Sequence, residues 1–284
     1  MTFTEIPLTG ALQGALLKPE RPNGLGIIVI TGSSGRVDVA RAALFAQLGV
    51  TAIAQRWWGG EGQAKGINLI PLEVFSLAVE RLLAEGCERI AMLGTSYGAE
   101  AALAFAVREP RLSTAIAISP TAVIWQNNGP GLDGMEWPPR SSLTWRDQAL
   151  PCIVLDPRAW PTGGDGPPAY RGLHEASLRT FAEDVPAATI RIEEAAARVI
   201  LVAGASDALW PSETAARSLA ARLTAAGRDA IVVEHPEAGH SPVFPGEQPP
   251  APPTMRAWGG TPEADRALGE MAWAAITTSL GIEG

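Results

Sequence analysis

The pentapeptide Gly94-Thr95-Ser96-Tyr97-Gly98 constrains this chain more than any other segment. It follows an apolar run at 90–93 and precedes an Ala-rich stretch at 99–107, so it predicts a strand, a sharp turn and a helix. A G-x-S-x-G turn in that context is a nucleophile elbow, whose strained serine backbone lifts the hydroxyl above the sheet edge. With 30 glycines in the chain such a pentapeptide can arise by chance. The prediction that Ser96 is a nucleophile therefore requires an acid and a histidine after later strands.

Short apolar strands alternate with amphipathic helices along most of the chain. Residues 26–30 form a continuous apolar run, and residues 72–84 carry apolar side chains at helical spacing between Pro71 and Gly86. Repeated strand–helix units of this kind are typical of a mainly parallel, doubly wound sheet. We therefore predict an α/β protein with a mainly parallel, doubly wound sheet, opened by a hairpin over 2–18 and forming one domain over 1–284. Together with the elbow at Ser96, this architecture indicates the α/β-hydrolase fold.

Residues 120–195 break this rhythm. The segment is rich in Pro and Gly, carries four tryptophans and shows only short periodic stretches. A structureless loop of that length is improbable in a compact domain unless it is functional. We predict an inserted lid or cap above Ser96, and we call residues 120–195 the insertion.

The acid and the base are predicted from the ends of two later strands. Asp207 follows the apolar run 199–203, and His240 follows the run 230–234. In a parallel sheet, residues at the carboxyl ends of strands meet at one edge. The chain order Ser96, Asp207, His240 is that of the α/β-hydrolase fold, in which the histidine activates the serine and the carboxylate orients the histidine.

Alternatives exist for both residues. Asp207 could instead cap the helix that begins near 211–212, which leaves Asp156 and Asp165 in the insertion as substitute acids. The chain has three histidines. Of the other two, His174 lies in the insertion, and His235 is expected to make a structural hydrogen bond.

The oxyanion hole is predicted to combine two backbone N–H groups. One belongs to Tyr97, and the other to the turn at 31–35, where Ser33 is favoured and Ser34 is the next choice. That turn could also bind phosphate, but it lacks the lysine of a P-loop and the spacing of a dinucleotide fingerprint. Nucleotide binding is therefore the weaker interpretation.

Nine tryptophans are many for 284 residues. Most tryptophans pack in the core, yet several on active-face loops would line an apolar acyl pocket. Trp57 and Trp58 follow a strand end and Trp210 follows Asp207. We predict these three as pocket residues, with core packing as the alternative.

Charge and composition restrict the partners. The net charge of −8 and the lack of a basic run argue against nucleic acid and a membrane surface as partners. No run approaches the ~18 apolar residues of a membrane helix, and no leader is evident, which predicts a soluble, cytoplasmic protein. The spacing of Cys87 and Cys152 suggests neither a disulfide framework nor a metal site. We expect a small-molecule substrate, no metal and no organic cofactor, and a homodimer is one option for the assembly.

Several motifs together resemble a known family, and the match extends over roughly residues 25–280. They resemble the catalytic domain of acyl-CoA thioesterases and bile acid-CoA:amino acid N-acyltransferases, relatives of dienelactone hydrolase. In chain order the motifs are Gly32-Ser33-Ser34-Gly35, Pro71-Leu72-Glu73-Val74-Phe75, Gly94-Thr95-Ser96-Tyr97-Gly98-Ala99-Glu100, Asp207-Ala208-Leu209-Trp210-Pro211-Ser212, Gly239-His240 and Trp258-Gly259-Gly260-Thr261-Pro262.

The resemblance implies a role for each matched residue. It places Ser96 as nucleophile, Asp207 as acid and His240 as base. The acyltransferases carry cysteine at the nucleophile position, so Ser96 points to hydrolysis of an acyl thioester or ester. Acyl transfer or cyclisation through the same acyl-enzyme, and hydrolysis of small esters or lactones, are the alternatives. A protein that only binds a ligand is disfavoured by the intact serine, acid and histidine.

Overall fold

The chain is described by a computed structural model that covers residues 1–163, 166–251 and 254–282. Its strands are β1 Phe3–Leu8, β2 Gln13–Pro19, β3 Leu25–Ile30, β4 Thr51–Arg56, β5 Ile70–Pro71, β6 Arg89–Thr95, β7 Leu112–Ile118, β8 Leu143–Trp145, β9 Gln148–Ala149, β10 Arg198–Gly204 and β11 Ala230–His235. Its α-helices are α1 Val39–Gln47, α2 Ser76–Ala84, α3 Tyr97–Ala106, α4 Arg171–Thr180, α5 Val185–Ala188, α6 Ser212–Ala225 and α7 Pro262–Leu280.

Eight strands form the central sheet in the order β1-β2-β4-β3-β6-β7-β10-β11. The predicted hairpin supplies the antiparallel strands β1 and β2, while β4, β3, β6, β7, β10 and β11 run parallel. All six residues of β3 are buried, which fits a strand covered by helices on both faces. The predicted mainly parallel, doubly wound sheet is confirmed.

Helices cover both faces of this sheet and create two hydrophobic cores. Buried residues of α2, α3 and α6 belong to one core, and those of α1 and α7 belong to the other. Helix α7 begins at Pro262, because the Thr261 side chain accepts a hydrogen bond from the Ala264 amide and Pro262 occupies the first turn. The carboxyl ends of the parallel strands therefore lie along one edge between two packed layers.

The insertion has its own secondary structure. It contains β8, β9, α4 and α5, and β8 pairs with β5 and β9 in a separate three-stranded sheet. The sequence did not predict β8 and β9, because strands of two or three residues are too short to show a period.

Candidate active site

Ser96 lies at the turn between β6 and α3 in a strained backbone conformation, with φ of 61° and ψ of −127°. Its amide donates to the carbonyl of Ile118 at 2.9 Å. A Cβ added to Gly94 would lie 2.0 Å from the Gly98 carbonyl oxygen, and one added to Gly98 would lie 2.7 Å from the Thr31 carbonyl oxygen. Only glycine fits at both positions, so the flanking glycines permit the close approach that the elbow requires.

Asp207 and His240 are hydrogen bonded to each other. His240 Nδ1 lies 2.8 Å from Asp207 Oδ2, and the two residues are only 5% and 1% exposed. Asp207 also accepts hydrogen bonds at 2.8 Å from the Leu209 amide and from the Ser212 hydroxyl. These donors fix the carboxylate, and the carboxylate in turn fixes the plane of the imidazole.

Ser119, at the end of β7, supports the histidine loop and was not predicted from the sequence. Its backbone has a φ of 50°, and its hydroxyl donates to the His240 carbonyl at 2.8 Å. The Trp210 indole donates to the Ser119 carbonyl at 3.0 Å. The only available signal was a serine directly after a predicted strand, which is also a common strand ending.

Ser96 and His240 line one cavity of about 830 Å³. Among the described residues, no hydrogen bond joins Ser96 Oγ to His240. The structure thus connects His240 directly to Asp207, and places Ser96 with His240 across a shared space.

The turn after β3 lies directly against the elbow. A Cβ at Gly32 would lie 2.8 Å from Ser96 Cβ and 3.2 Å from the Tyr97 nitrogen. Within the described ranges, the amides of Ser33 and Tyr97 donate no hydrogen bond, so both are available to a ligand. Ser33 lines the same cavity as Ser96.

The side chains of Trp57 and Trp58 pack against the turn after β3, outside the two cavities at Ser96. The Trp57 indole donates to the Thr31 carbonyl at 2.8 Å, and the Trp58 indole donates to the Gly32 carbonyl at 3.2 Å. Neither ring lines the cavity of about 830 Å³ or a second one of about 420 Å³. Both indoles carry one polar N–H that needs an acceptor, and the carbonyls of this turn supply it. They support the turn instead of lining the pocket.

The second cavity adjoins the first at Ser96 and lies against the insertion. Trp210 lines it, and the role of this indole in binding an acyl group stays a prediction. Its other aromatic side chains are Tyr97, Trp137, Trp160 and Tyr170. Both cavities share Ser33, Ser96, Leu209 and Arg256. The serine hydroxyl therefore stands where two compartments meet.

The substitute acids have other positions. Asp156 accepts hydrogen bonds from the guanidinium of Arg158 and the hydroxyl of Thr180, and these donors lower the pKa of its carboxyl. Its partners thus lie within the insertion, away from His240. Asp165 lies outside the described residues.

The other two histidines have local hydrogen bonds. His174 Nδ1 lies 2.9 Å from the Tyr170 carbonyl, and burial lowers the pKa of this imidazole to about 4. His235 Nδ1 accepts from the Glu237 amide at 3.2 Å, as expected of a structural residue. His174 lines the second cavity and is neutral at pH 7.

Hydrogen bonds connect the insertion both to the helix that follows the elbow and to the loop that carries Asp207. Glu100 of α3 accepts hydrogen bonds from the Ser142 hydroxyl and the Trp125 amide, and burial raises its pKa to about 8. Arg171 donates to the Asp207 carbonyl at 3.3 Å. The burial of Glu100 could not be inferred locally, because both of its hydrogen-bond donors come from the insertion.

Neither thiol is activated. Burial raises the pKa of both Cys87 and Cys152, the latter to about 11. In the described part of the chain, no group of three or more His, Cys, Asp or Glu side chains could hold a metal ion. None of the described helices combines the length and the apolar composition needed to cross a bilayer.

Comparison with known proteins confirms the resemblance that the motifs suggested. Residues 167–280 match the family model described as BAAT / Acyl-CoA thioester hydrolase C terminal. Human acyl-coenzyme A thioesterase 1 is 25% identical over 285 residues, covering 95% of this chain and 62% of its own length. The mouse peroxisomal succinyl-coenzyme A thioesterase is 26% identical, covering 90% of this chain and 59% of its own length. The chain thus spans about three fifths of these relatives.

Solved structures confirm the α/β-hydrolase fold. A candidate dienelactone hydrolase from Klebsiella pneumoniae superposes with a TM-score of 0.60 at 17% identity, covering 99% of this chain and 98% of that one. A thermostable carboxyl esterase from Bacillus coagulans has a TM-score of 0.54 at 12% identity and covers 99% of each chain. At such identities the likeness concerns the fold alone.

Proposed function

We propose that this α/β-hydrolase-fold chain, which resembles the acyl-CoA thioesterases over most of its length, is a serine hydrolase that cleaves an acyl thioester or a carboxylic ester. One observation carries the proposal. Ser96, on a strained elbow, opens into the cavity lined by His240, and His240 is hydrogen bonded to the buried Asp207 at 2.8 Å.

The proposed reaction begins with Ser96. Its hydroxyl has no hydrogen-bond partner among the described residues, so rotation about χ1 can direct it towards the imidazole. Catalytic hydrogen bonds are often long in the absence of substrate and shorten in the complex. His240 then removes the hydroxyl proton while the oxygen attacks the substrate carbonyl.

The amides of Tyr97 and Ser33 are proposed to hold the resulting oxyanion. Both are free of other hydrogen bonds in the described structure, and the turn that carries Ser33 touches the elbow. Donors that are already oriented stabilise developing negative charge without a reorganisation cost. The carbon–sulfur or carbon–oxygen bond breaks, and His240 returns the proton to the leaving thiol or alcohol.

Water completes the cycle. His240 removes a proton from water, the hydroxide attacks the acyl carbon, and the Ser96 oxygen leaves with that proton. The net reaction is substrate plus water to carboxylic acid plus thiol or alcohol. The two compartments that meet at Ser96 suit a substrate with groups on both sides of its scissile bond. The names of the relatives support an acyl thioester as substrate.

The Ser96→Ala variant tests the proposal. We expect it to lose turnover of 4-nitrophenyl hexanoate and of hexanoyl-CoA while its circular dichroism spectrum stays unchanged. The wild-type protein, but not the variant, should react covalently with a fluorophosphonate. Retention of wild-type turnover by Ser96→Ala would refute the proposal. Products formed with added amines or alcohols separate hydrolysis from acyl transfer.

A further inference from the structure

Arg256 is the charged side chain shared by the two compartments at Ser96. It lies between His240 and α7, is half-buried, and lines both cavities. Its Nη1 donates to the Ser33 hydroxyl at 3.1 Å. The guanidinium therefore lies beside the turn that is proposed to hold the oxyanion, and close to a substrate carbonyl bound at that turn.

The other arginines of the larger cavity have acidic partners. Arg41 pairs with Glu247 at 2.6 Å, and Arg36 pairs with Asp38 at 3.4 Å. No carboxylate of the described residues lies within 4.0 Å of the Arg256 guanidinium. A guanidinium has five N–H donors in a planar fork, and the bond to Ser33 uses one of them. The remaining donors suit a carboxylate.

The charges around Arg256 favour an anion on the side of the larger cavity. That cavity is lined by three arginines and two carboxylates, whereas the smaller cavity is lined by Arg256 and Glu136. Burial raises the pKa of the Tyr97 phenol, and the positive charge of Arg256 opposes that rise. The electric field of Arg256 therefore acts on Tyr97, the residue after Ser96. The chain as a whole has a net charge of −8, so the excess of positive charge in this cavity is a local feature of the site.

We infer that Arg256, together with the Ser33 hydroxyl, forms a subsite for a carboxylate carried by the substrate close to its scissile bond. The inference rests on the proposed hydrolase function. The carboxylate can belong to the acyl part or to the leaving group, and substrates distinguish the two. An acidic substrate would dock its carboxylate on the guanidinium and thereby place its carbonyl between Ser96 and the Tyr97 amide.

The test compares matched acidic and neutral esters. Mono(4-nitrophenyl) adipate and 4-nitrophenyl hexanoate differ by a carboxylate on a six-carbon acyl chain. Acetoxybenzoate and its methyl ester differ by a carboxylate on the leaving group. In at least one pair we expect Arg256→Gln to lower the acidic-to-neutral ratio of kcat/KM by about tenfold, the usual value of a charge-assisted hydrogen bond. Arg256→Lys should restore part of the ratio, and high salt should reduce it in the wild type.

Arg36→Gln is the matched control, since it removes one positive charge from the same cavity without touching Ser33. Its ratio should change less than about twofold, as expected of a screened surface charge. If Arg36→Gln and Arg256→Gln lowered the acidic-to-neutral ratio equally, Arg256 would act only through the overall positive charge of the cavity. That result would overturn the subsite. Equal losses of kcat on acidic and neutral esters would mean that Arg256 only positions the turn, which also overturns it.

One further variant tests whether a carboxylate of the protein, and not one of the substrate, pairs with Arg256. Asp165 lies outside the described residues, and Asp165→Asn should leave the ratio unchanged if Arg256 serves the substrate. A change as large as that of Arg256→Gln would make Asp165 its partner and refute the inference. If the wild type hydrolyses the neutral esters while the ratio is insensitive to Arg256, the subsite fails and the hydrolase proposal stands. If it hydrolyses none of them, the proposed function itself fails.

Discussion

Arg41 of α1 donates a hydrogen bond at 3.1 Å to the hydroxyl of Thr95, the residue before Ser96. The same guanidinium donates to the Pro242 carbonyl at 3.3 Å, two residues after His240. Burial by itself lowers the pKa of the Arg41 guanidinium. The hydrogen bonds and the charge of Glu247, which pairs with it, raise that pKa above its ordinary value. One buried side chain therefore connects the strand that carries the serine to the loop that carries the histidine.

Loss of Arg41 should disturb both stability and catalysis. Removing one partner of a buried ion pair typically costs about 3–5 kcal/mol, because the other charge, here the largely buried Glu247 carboxylate, loses its counter-ion. We expect Arg41→Met to lower the free energy of unfolding by that order, measured in urea, and to lower kcat about 10–100-fold, since small displacements of reacting groups are costly. In the double variant with Glu247→Leu, stability should recover while kcat stays low. Recovery of kcat together with stability would assign Arg41 a structural role only.

The Asp207 carboxylate should be far more important for turnover than Asp156. Asp207→Asn keeps the shape but presents an amide to His240 Nδ1, so we expect kcat to fall by about 10⁴-fold, as for other triads of this kind. Asp156→Asn is the control, because its carboxylate bonds Arg158 and Thr180 instead. Stopped-flow or steady-state assays of 4-nitrophenyl hexanoate measure both. A comparable loss in Asp156→Asn would move the acid to the insertion.

Ser212→Ala should lower kcat less than Asp207→Asn does. It removes one of the hydrogen bonds that Asp207 accepts while leaving the bond to His240 in place. Supporting residues around a site commonly contribute about 10–100-fold. We expect a fall in kcat of that order with little change in KM, measured on the same ester. A change confined to KM would argue against a role in orienting the acid.

Gly98 should not tolerate a methyl group. A Cβ there would lie 2.7 Å from the carbonyl oxygen of Thr31, which is a backbone atom and cannot rotate away as a flexible side chain could. We expect Gly98→Ala to destabilise the protein by about 1–3 kcal/mol and to abolish ester turnover. Gly172→Ala in α4 is the control, since nothing lies within 4 Å of its added Cβ. That change should stabilise the protein by up to about 1 kcal/mol, and thermal unfolding compares the two.

Glu100 should make stability depend on pH between about 4.5 and 8. Its pKa of about 8 in the folded protein exceeds the ordinary 4.5, because the side chain is buried. Its contribution to stability is therefore complete below pH 4.5, decreases as the pH rises, and is lost above about 8. Between pH 6.5 and 8 we expect this group to lower the free energy of unfolding by up to about 1.4 kcal/mol per pH unit.

Glu100→Gln should remove that slope, as measured by urea unfolding at several pH values. His174 does not interfere, because its pKa is lowered to about 4 and its effect, of opposite sign, is confined below its ordinary 6.5. Exposed Glu136→Gln is the control and should keep the slope. An unchanged slope in Glu100→Gln would show that the buried carboxyl titrates near its ordinary value.

Local sequence patterns predicted the elements on which the site depends. The apolar runs at 26–30, 90–93, 199–203 and 230–234 defined parallel strands of the central sheet. The elbow was predictable because its glycines act on atoms only four residues apart, as the approach of Gly94 to Gly98 shows. Chain order and strand ends likewise predicted that Asp207 and His240 would share an edge. The catalytic role of Ser96, Asp207 and His240 stays a prediction for the experiments above.

Contacts between distant segments were decided by tertiary structure alone. The indoles of Trp57 and Trp58 donate to carbonyls of the turn after β3, and neither ring lines the two cavities at Ser96 where the sequence had placed it. The pairing of Arg41 with Glu247 joins residues 206 positions apart, and Arg256 meets Ser33 across 223 positions. A local pattern determines which residues form a strand or a turn, because those forces act between near neighbours. Which buried polar group finds which partner depends on how the packed layers meet, and only the folded chain contains that information.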